Sequence, residues 1–298
     1  MQAFEFLVAD VRALVLLEAE HEEPAVALVG GDQRAHAATL AARGQPDALL
    51  HHAAAEVSVE VIAQADREGR PPMSHFGPDA NEWAELETQF RSYGEQGRCR
   101  TRLYLYNDAE AAPWKQKQGT FTPWYDTPVD TDLLLYEGLH GCVKTDQVDL
   151  ARHVDLKIGV VPIINLEWIQ KIHRDTRERG YSKEAVADTI LRRMHDYIHY
   201  VCAQFGETDI NFQRVPVVDT SNPFIARDIP TAGESMTVIR FRNPRGIDFP
   251  YLLSMIGESF MSRANTIVVP GGRMDLVMQL ILTPMILRLM EIRRAQLA

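Results

Sequence analysis

The sequence predicts an α/β domain built on a mixed β-sheet flanked by helices, and three observations carry that expectation. Short apolar or β-branched runs alternate with stretches of helical periodicity along most of the chain. The apolar run at residues 156–166, broken by Pro162, reads as a buried strand feeding a turn into a charged helix. Residues 209–242 have the spacing of a hairpin, which makes part of the sheet antiparallel.

Taken in order, residues 1–56 are Ala-rich and His-containing, with acidic residues clustered at 18–23. The apolar positions Phe4, Leu7, Val8, Val11, Leu14 and Val15 suit an amphipathic helix over residues 4–17, and residues 25–29 a short strand. From residue 57 the character changes: a helical pattern over 57–67, the breaker Gly69-Arg70-Pro71-Pro72, and a second helix over 80–93. Residues 98–106 alternate as a strand, with Arg100 and Arg102 on one face, oriented toward a site or toward solvent. The Pro- and aromatic-containing stretch 107–130 predicts a long ordered loop or a small antiparallel excursion. A strand is expected over 131–137, strand signal with a turn at Ser221-Asn222-Pro223 over 209–214 and 215–227, strands over 236–245 and 265–269, helix over 246–261, and a C-terminal helix over 274–296 with Pro284 near its middle. In that last helix Met274, Met278, Met285 and Met290 are core residues rather than a cofactor box.

Composition narrows the function classes. A chain of 298 residues, 46% hydrophobic and 24% charged, can bury a full core, and no apolar run approaches the ~20 residues of a membrane span. The formal charge of −10 repels nucleic acid, so an anionic ligand must be held by a local basic cluster. Three cysteines without a CxxC pattern argue against a disulfide framework or a zinc site and for a reducing, cytoplasmic setting. Glu5 and Asp10 stand where a secretory signal carries basic residues, so no signal is expected. His36, His51 and His52 lack partners at ligand-like spacing and read as surface histidines.

Two stretches carry candidate chemistry. Lys171, Arg174, Arg177 and Arg179 crowd around Asp175, and Arg192 and Arg193 follow on the next helix. Such a set builds a phosphate-binding wall or, in the bland reading, a solvated helix face with local ion pairs. Residues 131–142 have the form of a Walker B strand, an apolar run ending in Glu137 with Gly138 and Gly141 opening the turn. A carboxylate there is where α/β folds hold Mg²⁺ and substrate, or else it simply faces water.

The runs YEGLHG (136–141), LKIGVVPIINLEWIQKIHRDTRERGYS (156–182), ILRRM (190–194), DINFQRVPVVDTSNPFIAR (209–227) and VIRFRNPRGIDFPYL (238–252) resemble the bacterial-type phosphoribulokinase family. SHFGPDAN (74–81) and RTRLYL (100–105) match it too. The likeness covers residues 57–298 and implies a P-loop-kinase-like three-layer domain. It implies transfer of the γ-phosphoryl of ATP to the 1-hydroxyl of ribulose 5-phosphate, with Mg²⁺, in the Calvin cycle. It assigns Asp175, Lys171 and Arg174 to the catalytic set, and Lys171, Arg174 and Arg179 to substrate phosphates. Arg192 and Arg193 fall on the lid-side helix beside the nucleotide, and Glu137 by the metal. A homo-oligomer, with NADH as allosteric activator, is typical of the family. Uridine-kinase-like enzymes, which share the fold, are the alternative within enzymes.

Residues 1–56 depart from that pattern. They contain only Gly30, Gly31 and Gly44, none spaced as a nucleotide-cradling G-x-x-x-x-G, and no segment matches the one that carries the family's catalytic base. Tyr106 stands where the family usually shows a histidine. Either a shifted reading frame or start has altered this segment, or the chain is a variant that has lost ATP chemistry and serves as a binding or structural subunit. Both lead to the expectation of little turnover for the chain as written.

Overall fold

The computed structural model describes residues 13–18, 47–52, 64, 67–68, 73–105, 107–128 and 131–297. The strands are β1 (Ala13–Glu18), β2 (Asp47–His52), β3 (Arg100–Thr101), β4 (Tyr125–Asp126), β5 (Thr131–Glu137), β6 (Leu156–Pro162), β7 (Ile210–Pro216), β8 (Ser235–Phe241), β9 (Phe260–Arg263) and β10 (Thr266–Pro270). The α-helices are α1 (Trp83–Gln96), α2 (Asp108–Ala111), α3 (Ile164–Arg177), α4 (Lys183–Asp196), α5 (Phe249–Met255) and α6 (Met274–Leu297). Eight strands form one sheet in the order β2-β5-β1-β6-β7-β8-β10-β9. From β2 to β7 neighbouring strands run parallel, and β8, β10 and β9 continue antiparallel, so the sheet is mixed as expected.

Burial follows from that order. An internal parallel strand is covered on both faces and must be apolar at every position. Leu133, Leu134, Leu135 and Tyr136 of β5 are all buried, and they divide by parity. Leu133 and Leu135 join one core with Ile158, Phe212, Ile239 and Phe241, roofed by Val277, Met278, Ile281 and Leu282 of α6. Leu134 and Tyr136 join the opposite core with Trp83, Leu86, Phe90 and Tyr93 of α1. Two cores on two faces of one sheet give the three-layer architecture. Met274 and Met278 are core residues, as expected of the C-terminal helix. Gly97 ends α1 at φ 70°, a left-handed position glycine reaches at no steric cost, and its N–H bonds the Tyr93 carbonyl.

Some expectations are corrected. Residues 13–17 are not helical: they belong to β1, hydrogen-bonded between β5 and β6. The continuous run Ala-Leu-Val-Leu-Leu suits a central parallel strand, and apolar spacing over so short a stretch does not separate that from a helix. The strand foreseen over 98–106 shrinks to β3 and a single bridge between Tyr104 and Phe121. Its arginines serve an aromatic cluster: the Arg102 guanidinium lies 4.1 Å from the Phe121 centroid and 4.8 Å from that of Trp124, and it pairs with Glu82 at 2.5 Å. Residues 260–261, placed at the end of a helical tail by sequence, belong to β9, a hairpin partner of β10. The strand expected at 25–29, most of the helix over 57–67, and His36 and Tyr106 lie outside the described residues.

Truncating Phe212, fully buried on β7, to alanine is expected to cost about 3–5 kcal/mol and lower the thermal midpoint by roughly 10 °C. Arg240→Ala, at an exposed position of the neighbouring β8, should stay within about 0.5 kcal/mol of wild type. Urea and thermal unfolding of both variants check the pair.

Candidate active site

Helix α3 begins immediately after the C-terminal end of β6, so its charged face is launched from the sheet edge where α/β folds bind ligands. Leu166, Ile169 and Ile172 anchor the helix in the interior. On another face the chain places Glu167, Lys171, Asp175 and Arg179 four residues apart, one above the other. Asp175 is only 6% exposed and is the hub of this row. Lys171 Nζ lies 3.0 Å from its Oδ2, and Arg174 Nε and Arg179 Nη1 each lie 3.0 Å from its Oδ1. Within these four side chains cations outnumber the carboxylate three to one. Lys171 and Arg174 are largely covered, whereas the Arg179 side chain is 54% exposed and reaches outward.

Burial alone raises the pKa of Asp175, but hydrogen bonds from Arg174 and Lys171 and their charges outweigh it and hold the carboxyl below the ordinary range. The loop after β7 braces the helix from outside. Asn165 Nδ2 donates to the Thr220 carbonyl at 3.0 Å, and His173 Nε2 to the Ala226 carbonyl at 3.1 Å.

Helix α4 starts at a Ser182 cap, whose Oγ accepts the Ala185 N–H. Its two arginines diverge, as neighbours about 100° apart on a helix must. Arg193 lines a small cavity with Lys171 and Glu167 of α3. Arg192 points elsewhere: it pairs with Asp188 at 3.2 Å with half its side chain exposed, so only one of the expected two arginines lines the cavity with α3.

Glu137 ends β5, two strands from β6, so about 10 Å of sheet separates it from the start of α3. At Gly138 beside it a Cβ would stand 2.7 Å from the Tyr136 hydroxyl, so any side chain there would force the buried Tyr136 ring to move. The loop that follows is pinned: Gln204 donates to the Leu139 carbonyl at 2.7 Å and accepts the Cys142 N–H at 2.9 Å. His140 Nε2 donates to the His75 carbonyl at 2.9 Å, and burial pushes this imidazole down to about 4, so it is neutral at physiological pH. The same segment brings Gly77 against α4, where a Cβ would meet Asp196 Oδ2 at 2.6 Å. Burial also pushes the thiols of Cys99 and Cys142 up, to about 11 and about 12.

Lys171, Arg174, Asp175 and Arg179 are thus assembled into one cluster with Arg193 nearby, while Arg177 is exposed at the helix end. Sequence reasoning missed Glu167 and Tyr197, which meet at 2.6 Å beneath the cluster. The available signal was spacing, since Glu167 precedes Lys171 by one helical repeat and Tyr197 follows Arg193 by another.

Because the native pKa of Asp175 is depressed, its contribution to stability is present above the unfolded-state value near 4 and is lost as pH falls through the native value. Asp175→Asn is expected to cost about 3 kcal/mol at pH 7, and its gap to wild type should narrow below about pH 4. Urea unfolding of both proteins across pH 3–7 measures this.

The model of the "Phosphoribulokinase / Uridine kinase family" matches residues 35–221. A phosphoribulokinase of Nitrobacter vulgaris is 62% identical over 252 residues, covering 85% of this chain and 87% of the relative. The plasmid phosphoribulokinase of Cupriavidus necator is 61% identical over 248 residues, covering 83% and 85%. The solved structure of phosphoribulokinase from Rhodobacter spheroides superposes with a TM-score of 0.77 at 51% identity, covering 94% of this chain and 98% of that one. The chain belongs to the phosphoribulokinase / uridine kinase family.

Proposed function

We propose that this protein is a phosphoribulokinase, transferring the γ-phosphoryl group of ATP to the 1-hydroxyl of ribulose 5-phosphate, with Mg²⁺, as a step of the Calvin cycle. The carrying observation is the Asp175 cluster, which presents Lys171, Arg174 and Arg179 around one buried carboxylate on a helix rising from the ligand-binding edge of the sheet. Phosphoryl transfer asks for positioning and charge neutralisation more than covalent help, and fixed cations supply both. Asp175 orients the cations and keeps their spacing. Arg179, on the exposed side, is placed to meet a phosphate arriving from solvent. Arg193 completes the wall from α4, with Arg192 beside it on the outer face.

Glu137 fits a Mg²⁺ role, since this ion takes one or two carboxylates plus substrate phosphates and water rather than an all-protein cage. One of its oxygens, Oε2, is buried at the strand end. When bound, the metal would neutralise charge on the phosphates being transferred. The kinase domain of this reading takes in residues 57–298 together with β1 and β2 of the atypical segment 1–56, which stand in the same sheet. A homo-oligomer is supported by large apolar side chains left exposed on this chain, among them Ile225 and Val217. Three free cysteines, two of them buried, agree with a cytoplasmic setting. Among the described residues no helix is long and apolar enough to cross a membrane. NADH as activator rests on the family resemblance alone.

In a coupled assay on the full chain, release of ADP that requires ribulose 5-phosphate, with uridine inert, is the result that supports this reading over the little turnover that the sequence of residues 1–56 leads one to expect. Lys171→Met should lower kcat/KM for the sugar phosphate by about 10²–10³-fold. Saturable binding of ribulose 5-phosphate without ADP release would instead identify the binding subunit that the missing glycine-rich loop suggests. Phosphorylation of uridine would move the chain to the other branch of its family.

A further inference from the structure

Helices α3 and α4 carry the two sides of the cationic wall, and an apolar cluster packs between them. Ile172, Val186 and Ile190 form a small core between them, with Trp168 and Met194 at its margin. Apolar contact is non-directional and fixes a helix's rotation about its own axis less sharply than a hydrogen bond does. Rotation is what decides whether Arg193 faces Lys171, since a helical residue moves about 100° around the axis per position.

A buried hydrogen bond adds a directional contact between these elements. Tyr197 Oη donates to Glu167 Oε2 at 2.6 Å, and both residues are 7% exposed. A short hydrogen bond to a carboxylate in a covered setting is among the stronger and more geometrically demanding contacts available. Burial, and next the negative charge of Glu167, push the Tyr197 hydroxyl far up, so it remains a donor at every physiological pH. Its two ends sit at matching places. Glu167 lies four residues before Lys171 on α3, and Tyr197 lies four residues after Arg193, where α4 passes into a π-turn (Tyr197–Val201). All four side chains line the same small cavity, together with Phe76 and Met194. Phe76 sets its edge against the Tyr197 ring at 5.3 Å, so the ring is held in place independently of its hydroxyl.

We propose that the buried Tyr197–Glu167 hydrogen bond is a positioning strut for the sugar-phosphate site, fixing the rotation of α4 against α3 so that Arg193 stands opposite Lys171. Glu167 and Tyr197 are positioning residues acting through those two cations. The inference rests on the assignment of Lys171 and Arg193 to phosphate binding made above.

The test is calorimetric binding of ribulose 5-phosphate to the full chain, with the thermal midpoint followed in parallel. Tyr197→Phe keeps the ring and its contact with Phe76 and removes only the hydroxyl. It is expected to weaken binding about tenfold, the worth of one hydrogen bond to a charged group, with the midpoint lowered by only a few degrees. Glu167→Gln, whose carbonyl oxygen still accepts from Tyr197, should stay within about threefold of wild type, a rescue that mere loss of packing would not show. Because the strut acts through Arg193, Tyr197→Phe combined with Arg193→Met should bind no worse than Arg193→Met alone. If wild type binds the ligand, Arg193→Met weakens it and Tyr197→Phe stays within about twofold, the strut is refuted while the site assignment survives; losses that multiply in the double variant refute it equally. If wild type does not bind ribulose 5-phosphate, or Lys171→Met and Arg193→Met are both silent, the site assignment itself fails and the strut falls with it.

Discussion

A carboxylate buried among cations is the constraint on which the site depends. Three positive side chains gathered along one short stretch of chain repel one another, and Asp175 supplies their counter-charge from below the surface with both oxygens engaged. Its geometry divides labour among its partners. Lys171 and Arg174 are drawn inward and largely covered, while Arg179 keeps an exposed arm. In the proposed reaction a phosphate approaching such a wall would meet cations already oriented, leaving little reorganisation for the moment of transfer.

That wall depends in turn on the sheet. Because β5 and β6 lie inside a parallel arrangement, alternate residues feed two separate cores, and the sheet is clamped between α6 on one face and α1 on the other. The strand ends are therefore rigid platforms. Helix α3 leaves one of them directly at Pro162, and Glu137 terminates another two strands away. The candidate cations are carried on helix faces, but their spacing from Glu137, the last residue of β5, is set by the strands.

Much of this was legible in the sequence where one periodicity dominated. The run from Leu156 into the charged helix, the β7–β8 hairpin and the C-terminal helix with its methionines were read with nearly correct limits. Residues 13–17 were misread because five consecutive apolar residues fit either a helix or a strand, and only the neighbours β5 and β6, distant in sequence, decide between them. Arg100 and Arg102 were placed on one face correctly as residues of a strand pattern, yet their stacking on Phe121 and Trp124 needs a loop closure that local pattern does not encode. Among the site residues, the group around Asp175 was visible from charge density alone. The divergence of Arg192 from Arg193, and the pairing of Glu167 with Tyr197, required knowing how two helices are rotated against each other.

The π-turn at Tyr197–Val201 gives the end of α4 a property that an uninterrupted helix lacks. A π-turn holds one more residue than the α-helical turn it replaces, so it acts as an insertion accommodated in place. Tyr197 at its start and Gln204 just after it are consequently held in a phase relation that plain α-helix could not supply: one reaches Glu167 on α3, the other the backbone beside His140. Loss of a single residue from this turn would leave the upstream arginines untouched and turn everything downstream by about 100°. The loop beyond Glu137 would then be uncoupled from the cationic helices, and chain length at this point, rather than side-chain identity, keeps the two halves of the site in step.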